Sequence, residues 1–285
     1  MKSLVLWVLT GTSLLFAIGC SASLSTENAD SGMARLHFLD VGQGLSVLFE
    51  FPSAEKFAIY DSGNDSTGFW DTLKVRGVRH LDWALISHWH RDHAGGFLEW
   101  DGSVSIDTLF YGADTGGFWL RDSVLKLAAR NGTIAKKVLR GTAIPCETWS
   151  CRILWTPEFQ TIGGNNASAI LQVSDGKFKA LFTGDLEKGG ESGLFEMTGD
   201  LRANLLQVGH HGSKTSSSLP FLEQVAPEYA VVSVGKKNRY GHPARSTLRK
   251  LSFVLGDSSR IFRTDQKGSI TVEWKLGTGL WIRNF

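Results

Sequence analysis

The apolar run Trp83-Ala84-Leu85-Ile86 ends at Ser87, and His88, His90, Asp92 and His93 follow, four potential metal ligands within six residues. A short run that is apolar throughout reads as a strand buried on both faces, so the ligands stand where that strand emerges into a loop. Neutral imidazole nitrogen and carboxylate oxygen are the donors that Zn2+ and Mn2+ take. His88 and His90 alternate, so on an extended loop they point the same way, while Asp92 and His93 precede Gly95-Gly96 at the expected entrance to a helix. Two pairs of ligands imply two metals.

The chain has 285 residues, 42% hydrophobic and 20% charged. That is enough to bury about three quarters of its surface in one large domain, and it excludes a disordered chain. The net charge of +2 demands no polyanionic partner, but its distribution is uneven. From Lys236 to Lys267 nine Lys and Arg face only Asp257 and Asp265, a balance that suits phosphate-rich ligands.

At the N-terminus Lys2 precedes two apolar runs, Leu4 to Leu9 and Leu14 to Ile18, broken by Thr10-Gly11-Thr12-Ser13. This is too short and interrupted for a spanning helix and reads as a signal peptide over residues 1–19. Ala17-Ile18-Gly19-Cys20-Ser21 resembles a bacterial lipobox. The mature chain is then expected to start at a lipidated Cys20, with residues 20–33 as a tether, as an exported lipoprotein anchored to a membrane and facing periplasm or exterior. In such an oxidising compartment Cys146 and Cys151 are expected to pair as a disulfide, since no further ligands stand nearby to make them a zinc site.

Along the chain, strands are expected near 35–39, 45–51, 56–60, 81–87 and 106–110, with helices near 69–75, from Ala94, and near 118–129. Further strands are expected near 151–155, 168–173, 178–183, 203–208 and 229–234, with helices near 187–197, 219–225 and 246–255. Strands alternating with helices indicate α/β layering, and no linker divides residues 34–285.

The His-x-His-x-Asp-His pattern resembles the signature of metallo-β-lactamase-fold hydrolases, a resemblance that implies a four-layer αββα sandwich with internal duplication. In that family the ligands lie in loops beyond strand ends. Carried onto this chain, it implies His88, His90, Asp92 and His93 as ligands, Asp185 as a bridging carboxylate, and His210 as the final ligand, its neighbour His211 being the less favoured choice. Asp40, Asp61, Asn166 and Ser168 are expected to hydrogen-bond around them. The family's third-motif histidine is missing, and Asn165, Asn166 and Ser168 stand in its place. An amide or hydroxyl is a weaker ligand than imidazole, so the ion held by His88 and His90 is expected to bind less tightly.

Asp40-Val41-Gly42-Gln43-Gly44, Asn165-Asn166-Ala167-Ser168, Phe182-Thr183-Gly184-Asp185, Gly209-His210-His211-Gly212-Ser213-Lys214 and Tyr240-Gly241-His242-Pro243 together resemble the metallo-β-lactamase-like domain of the ComEC competence family. That resemblance implies a nuclease acting on DNA, most simply single-stranded, outside the cytoplasmic membrane, with a separate DNA-uptake channel as partner. Two divalent ions, Zn2+ or Mn2+, would activate water against phosphorus. Asp185, His211 and His242 are the candidate catalytic residues, His242 as acid for the leaving oxygen. Ser213, Lys214 and Ser216, just ahead of an expected helix, are candidate phosphate holders. The alternatives are a small-molecule hydrolase acting on a lactone, β-lactam or phosphoester, and a non-catalytic DNA-binding surface lipoprotein.

Overall fold

The computed structural model describes residues 32–53, 55–157, 164–275 and 279–284, so the expected signal peptide, Cys20 and the tether up to residue 31 lie outside the described residues. The first part of the chain forms β1 (Met33–Phe38), β2 (Val47–Glu50), β3 (Phe57–Tyr60), α1 (Phe69–Val75), β4 (His80–Ile86), α2 (Arg91–Ala94), β5 (Ser105–Tyr111), α3 (Phe118–Arg130) and β6 (Ile134–Lys137). Then come β7 (Ala143–Ile144), β8 (Ser150–Trp155), β9 (Ile170–Ser174), β10 (Lys179–Phe182), α4 (Lys188–Met197), β11 (Leu205–Gln207) and α5 (Leu219–Val225). The chain closes with β12 (Tyr229–Val232), α6 (Arg245–Leu255), β13 (Ile261–Arg263), α7 (Thr264–Lys267), β14 (Ile270–Lys275) and β15 (Gly279–Asn284). The strands form two mixed sheets, ordered β15-β14-β1-β2-β3-β4-β5-β6 and β13-β12-β11-β10-β9-β8-β7.

Three apolar clusters separate four layers. Between the sheets, Phe182 from β10 packs among Phe38, Phe49 and Tyr60, with its ring centroid 5.0 Å from that of Phe49. Outside the first sheet, α3 turns Leu120, Val124 and Ala128 inward at every fourth residue, beside Phe69, Trp70 and Leu73 of α1. Outside the second sheet, Leu194 of α4, Phe221 and Leu222 of α5, and Leu251 and Leu255 of α6 do the same. The last four residues of β4 show why that run is unbroken: Trp83 and Leu85 enter the layer between the sheets, whereas Ala84 and Ile86 enter the helix-covered layer. Each large side chain so buried contributes roughly 1.5–3 kcal/mol.

The two halves do not close separately, because β14 returns to the first sheet and pairs antiparallel with β1. Cys146 and Cys151 are joined by a disulfide across the turn between β7 and β8, with Cα atoms 5.9 Å apart. No helix among the described residues is long and apolar enough to cross a membrane. What matters for chemistry is that β3, β4 and β5 run parallel in one sheet and β10, β11 and β12 run parallel in the other. The loops after their C-terminal ends carry Asp61, the histidine run, Asp185 and the His210-His211 pair, gathering distant residues along one rim.

Candidate metal centre

β4 stops at Ile86, and the chain runs out to His90, which keeps extended backbone (φ −82°, ψ 151°) at the start of α2. The first turn of α2 then brings Asp92 and His93 back over the strand end. One ligand atom each from Asp92, His93, Asp185 and His211 lie within 4.8 Å of one another, and so do those from His88, His90 and Asp185. Asp185 belongs to both groups. A third cluster, His80, Asp82 and Asp107, lies at the start of β4 rather than its end, roughly 20 Å away by strand length. There Lys56 pairs with Asp82 at 2.7 Å and His80 Nε2 lies 3.3 Å from Asp107 Oδ2, so both carboxylates already have a protein partner.

Hydrogen bonds on the far side of each ring orient the ligands. His93 Nδ1 donates to Asp61 Oδ2 at 2.7 Å, and His211 Nδ1 donates to the Ser233 carbonyl at 2.9 Å. The fully buried Asp61 also accepts from Ser87 N and Ser87 Oγ, both at 2.7 Å, and Ser87 Oγ is 3.0 Å from His88 Nδ1. One carboxylate therefore fixes two rings, directly and through a hydroxyl, leaving their Nε2 lone pairs for the group. His88 Nε2, His93 Nε2 and Asp185 Oδ1 are buried without a hydrogen-bond partner among the described residues. His93 Nε2 and Asp185 Oδ1 are 3.0 Å apart but lack hydrogen-bond alignment. Leaving a polar atom buried and unmatched costs roughly 1–3 kcal/mol. Three such atoms, imidazole and carboxylate, in one cluster fit a divalent cation.

The electrostatics show how strongly these groups are coupled. Burial opposes a charge on Asp185, but His93 and His211 outweigh it and hold its carboxyl well below the ordinary range. Burial likewise opposes a charge on His93, which Asp185 and Asp61 overcome, raising it well above an ordinary imidazole, so a cation taking up its Nε2 lone pair would have to displace a proton held between the two carboxylates. His88 is pushed well down by burial, with His93 adding to the effect, so its ring is neutral, the form in which imidazole binds metal. Asp92 stays ionised despite burial because His211 hydrogen-bonds its carboxylate at 3.3 Å.

His88, His90, Asp92, His93 and Asp185 come together as the sequence led us to expect; the final histidine does not. His211, nearly fully buried, is the one in the four-residue group, whereas His210 lies outside both groups. His210 keeps Nε2 3.8 Å from Asp185 Oδ2 and points Nδ1 at Glu187 Oε1, 3.2 Å away. Both residues have left-handed backbone (φ 50° and 53°), an uncommon conformation for two successive non-glycine residues.

Ser168 stands among the ligands, with Oγ 3.3 Å from His88 Nδ1 and accepting from Asp185 N at 3.1 Å. Asn166 instead braces the chain after Asp185, its Oδ1 accepting from Glu187 N and Gly190 N at 3.1 Å. Asp40 is exposed and accepts from Gly42 N at 3.2 Å, which corrects its expected place beside the ligands. Its turn matters through Gly44, where an added Cβ would lie 2.7 Å from the Asp92 carbonyl.

Of the expected phosphate holders, the two serines are engaged within the protein. Ser216 Oγ donates to the Gly209 carbonyl at 2.7 Å, and Ser213 Oγ meets Thr215 Oγ1 at 2.9 Å, while Lys214 is exposed. The backbone donors ahead of α5 already hold an internal carboxylate: Ser217 N and Ser218 N donate to Glu191 of α4 at 2.5 and 2.9 Å. Burial raises the Glu191 carboxyl. Glu191→Ala leaves both N–H groups unmatched and is expected to lower stability by about 3 kcal/mol in urea unfolding. A loss below about 1 kcal/mol would show that those donors find other partners.

Ser87, Asp114 and Glu187 escaped the sequence reading. Buried Asp114 accepts from Trp89 N and Gly116 N at 2.8 Å and Gly164 N at 3.1 Å, tying together three loops around His88 and His90. Its one sequence signal is an Asp before Gly116-Gly117 directly beyond β5. His242 lies at the rim, its ring 5.6 Å from that of His210.

Residues 39–236 match the Metallo-beta-lactamase superfamily. The chain is 28% identical over 93% of its length to ComE operon protein 3 of Bacillus subtilis, and 34% over 90% to Competence protein ComA of Neisseria gonorrhoeae. It is also 30% identical over 75% of its length to Recombination protein 2 of Haemophilus influenzae. It spans 35%, 34% and 26% of the lengths of these relatives. Among solved structures it resembles YhfI, a metallo-beta-lactamase fold protein from Bacillus subtilis, at TM-score 0.53 and 12% identity, covering 87% of this chain and 99% of that one. It resembles CmlA, a diiron beta-hydroxylase from Streptomyces venezuelae, at TM-score 0.56 and 12% identity, covering 85% and 54%. At these identities the likeness is one of fold.

Proposed function

We propose that this chain, which belongs to the metallo-β-lactamase superfamily, is a metal-dependent hydrolase of DNA phosphodiester bonds. The observation that carries the reading is Asp185, one buried carboxylate shared by two ligand groups. His88, His90 and Asp185 would hold one divalent ion, and Asp92, His93, Asp185 and His211 the other. Such ions, Zn2+ or Mn2+, supply Lewis acidity and lower the pKa of water.

The chain's own part is orientation. Asp61 and Ser87 fix the rings of His88 and His93, and the Ser233 carbonyl fixes His211. His242 is lowered by burial and by His210 and His211, so it is neutral near pH 7. It suits donating a ring N–H hydrogen bond to a phosphate oxygen at the rim better than holding a proton ready for the leaving group.

DNA as substrate is supported by relatives named for competence and recombination, and by the basic segment from Lys236 to Lys267. The proposal includes export, a lipid on Cys20 that holds the enzyme at a membrane, and single-stranded DNA met beside a separate uptake channel. The disulfide is in keeping with an oxidising compartment. To test it, purified protein is incubated with single- and double-stranded DNA, a lactone and a β-lactam, with Mn2+, Zn2+ or chelator. Metal-dependent fragmentation of single-stranded DNA is expected. Hydrolysis of the lactone or β-lactam with intact DNA, or DNA retarded but never cut, would overturn the reading.

A further inference from the structure

The group formed by His88, His90 and Asp185 has one ligand fewer than the group beside it. The turn that lies over it runs from Gly164 to Ala167. A Cβ added at Gly164 would stand 3.5 Å from His90 Nε2, so the backbone of this turn is packed against that ligand. From the same turn, the Asn165 carbonyl accepts from Ser168 N at 3.1 Å and Ser168 Oγ at 2.8 Å, and Ser168 Oγ in turn touches His88 and Asp185.

The Asn165 side chain is oriented by hydrogen bonds. Its Nδ2 donates to Glu187 Oε1 at 3.3 Å and lies 3.3 Å from His210 Nδ1. Glu187 Oε1 also meets His210 Nδ1 at 3.2 Å and Thr215 Oγ1 at 2.6 Å. Glu187 Oε1 accepts from Thr215 Oγ1 as well, so the amide nitrogen faces an acceptor, and the flipped amide would set oxygen against oxygen. Oδ1 is thereby turned away from Glu187, and it is buried with no hydrogen-bond partner among the described residues. A buried amide oxygen held in one orientation with nothing to accept from is what a cation ligand looks like before its ion is considered.

We propose that Asn165 Oδ1 is the protein ligand that completes the group of His88, His90 and Asp185, in the place where a third imidazole would otherwise stand. This rests on the reading of the centre as metal-binding and names a ligand that reading does not contain. Two nitrogens and two oxygens make a harder donor set than three imidazoles with one carboxylate. The substitution therefore shifts this group away from Zn2+ and toward Mn2+, for which amide and carboxylate oxygens are well suited.

The test measures metal binding without DNA, so a failure to cut DNA leaves it intact. Full-length wild-type, Asn165→Ala, Asn165→Asp and Asn165→His proteins are titrated with Zn2+ and Mn2+ against a chelator, with ions counted per chain and apo-protein folding followed by circular dichroism. Asn165→Ala is expected to keep one ion and to weaken the other by about tenfold or more, while Asn165→Asp keeps both. Asn165→His is expected to raise the Zn2+ to Mn2+ preference of the weaker site by about tenfold. Asn165→Ala protein that binds both ions with wild-type constants overturns the proposal. Should that variant not fold, an Asn165→His protein with an unchanged Zn2+ to Mn2+ preference overturns it instead.

Discussion

Asp185→Asn protein is expected to cleave single-stranded DNA roughly a thousandfold more slowly than wild type, with fewer than two ions bound. The substitution keeps the shape, and with it the backbone bond from Asp185 N to Ser168 Oγ at 3.1 Å, so the fold is retained. What it removes is the one negative charge common to both ligand groups. Asp185 Oδ1 lies 3.0 Å from His93 Nε2 and 3.7 Å from His211 Nε2, while Oδ2 lies 3.8 Å from His210 Nε2. With an amide in its place, Asp92 is the sole carboxylate left in the two groups, and two divalent ions would share a cluster of imidazoles with little to balance them. Steady-state cleavage with saturating Mn2+, together with metal analysis of the same sample, reads both effects. A wild-type rate would remove Asp185 from the chemistry.

Asp61→Ala is expected to act without touching either ion. Asp61 accepts three hydrogen bonds, from Ser87 N, Ser87 Oγ and His93 Nδ1, each 2.7 Å long, and all of them are buried. Removing the carboxylate strands these donors, at a cost of about 3 kcal/mol or more. Position 61 also has left-handed backbone (φ 60°), which alanine tolerates poorly. The His93 and His88 rings then lose the anchor that aims their Nε2 atoms, and metal affinity is expected to fall about 10–100-fold. Urea unfolding of the metal-free protein and chelator competition of the loaded protein separate the two consequences. Lost stability with unchanged metal affinity would mean that the rings are held by packing alone.

Much of the centre is legible in the sequence because its ligands follow apolar strands. β4 carries the unbroken run that a doubly buried strand requires, and the ligands begin two residues beyond it. α1 and α5 lie where their patterns place them, at Phe69–Val75 and Leu219–Val225. The first helix after the histidines starts earlier than expected, at Arg91, because His90 can sit in extended backbone ahead of it. β6 left no signal, since all four of its residues are exposed at the sheet edge and no alternation marks it.

The choice between His210 and His211 could not be read, because adjacent histidines have nearly the same spacing from the strand end, and only the folded chain sets His211 beside Asp92 and Asp185. The internal partner of the N–H groups ahead of α5 was hidden for a related reason. Glu191 comes from another helix, 26 residues before Ser217, and only the tertiary fold sets it against those N–H groups. Asp114 bonds residues on both sides of it, as far as Gly164, a pattern that has no local signature.

The central claim, that hydrolysis depends on divalent ions the residues around Asp185 would hold, is tested most directly by titrating metal-free protein with Mn2+. Bound ion and cleavage of single-stranded DNA are followed in the same samples. Cleavage is expected to be absent from the metal-free protein, to rise as the second equivalent binds, and to level off at two ions per chain. Cleavage at full rate without metal, or two bound ions and DNA left intact, would contradict it.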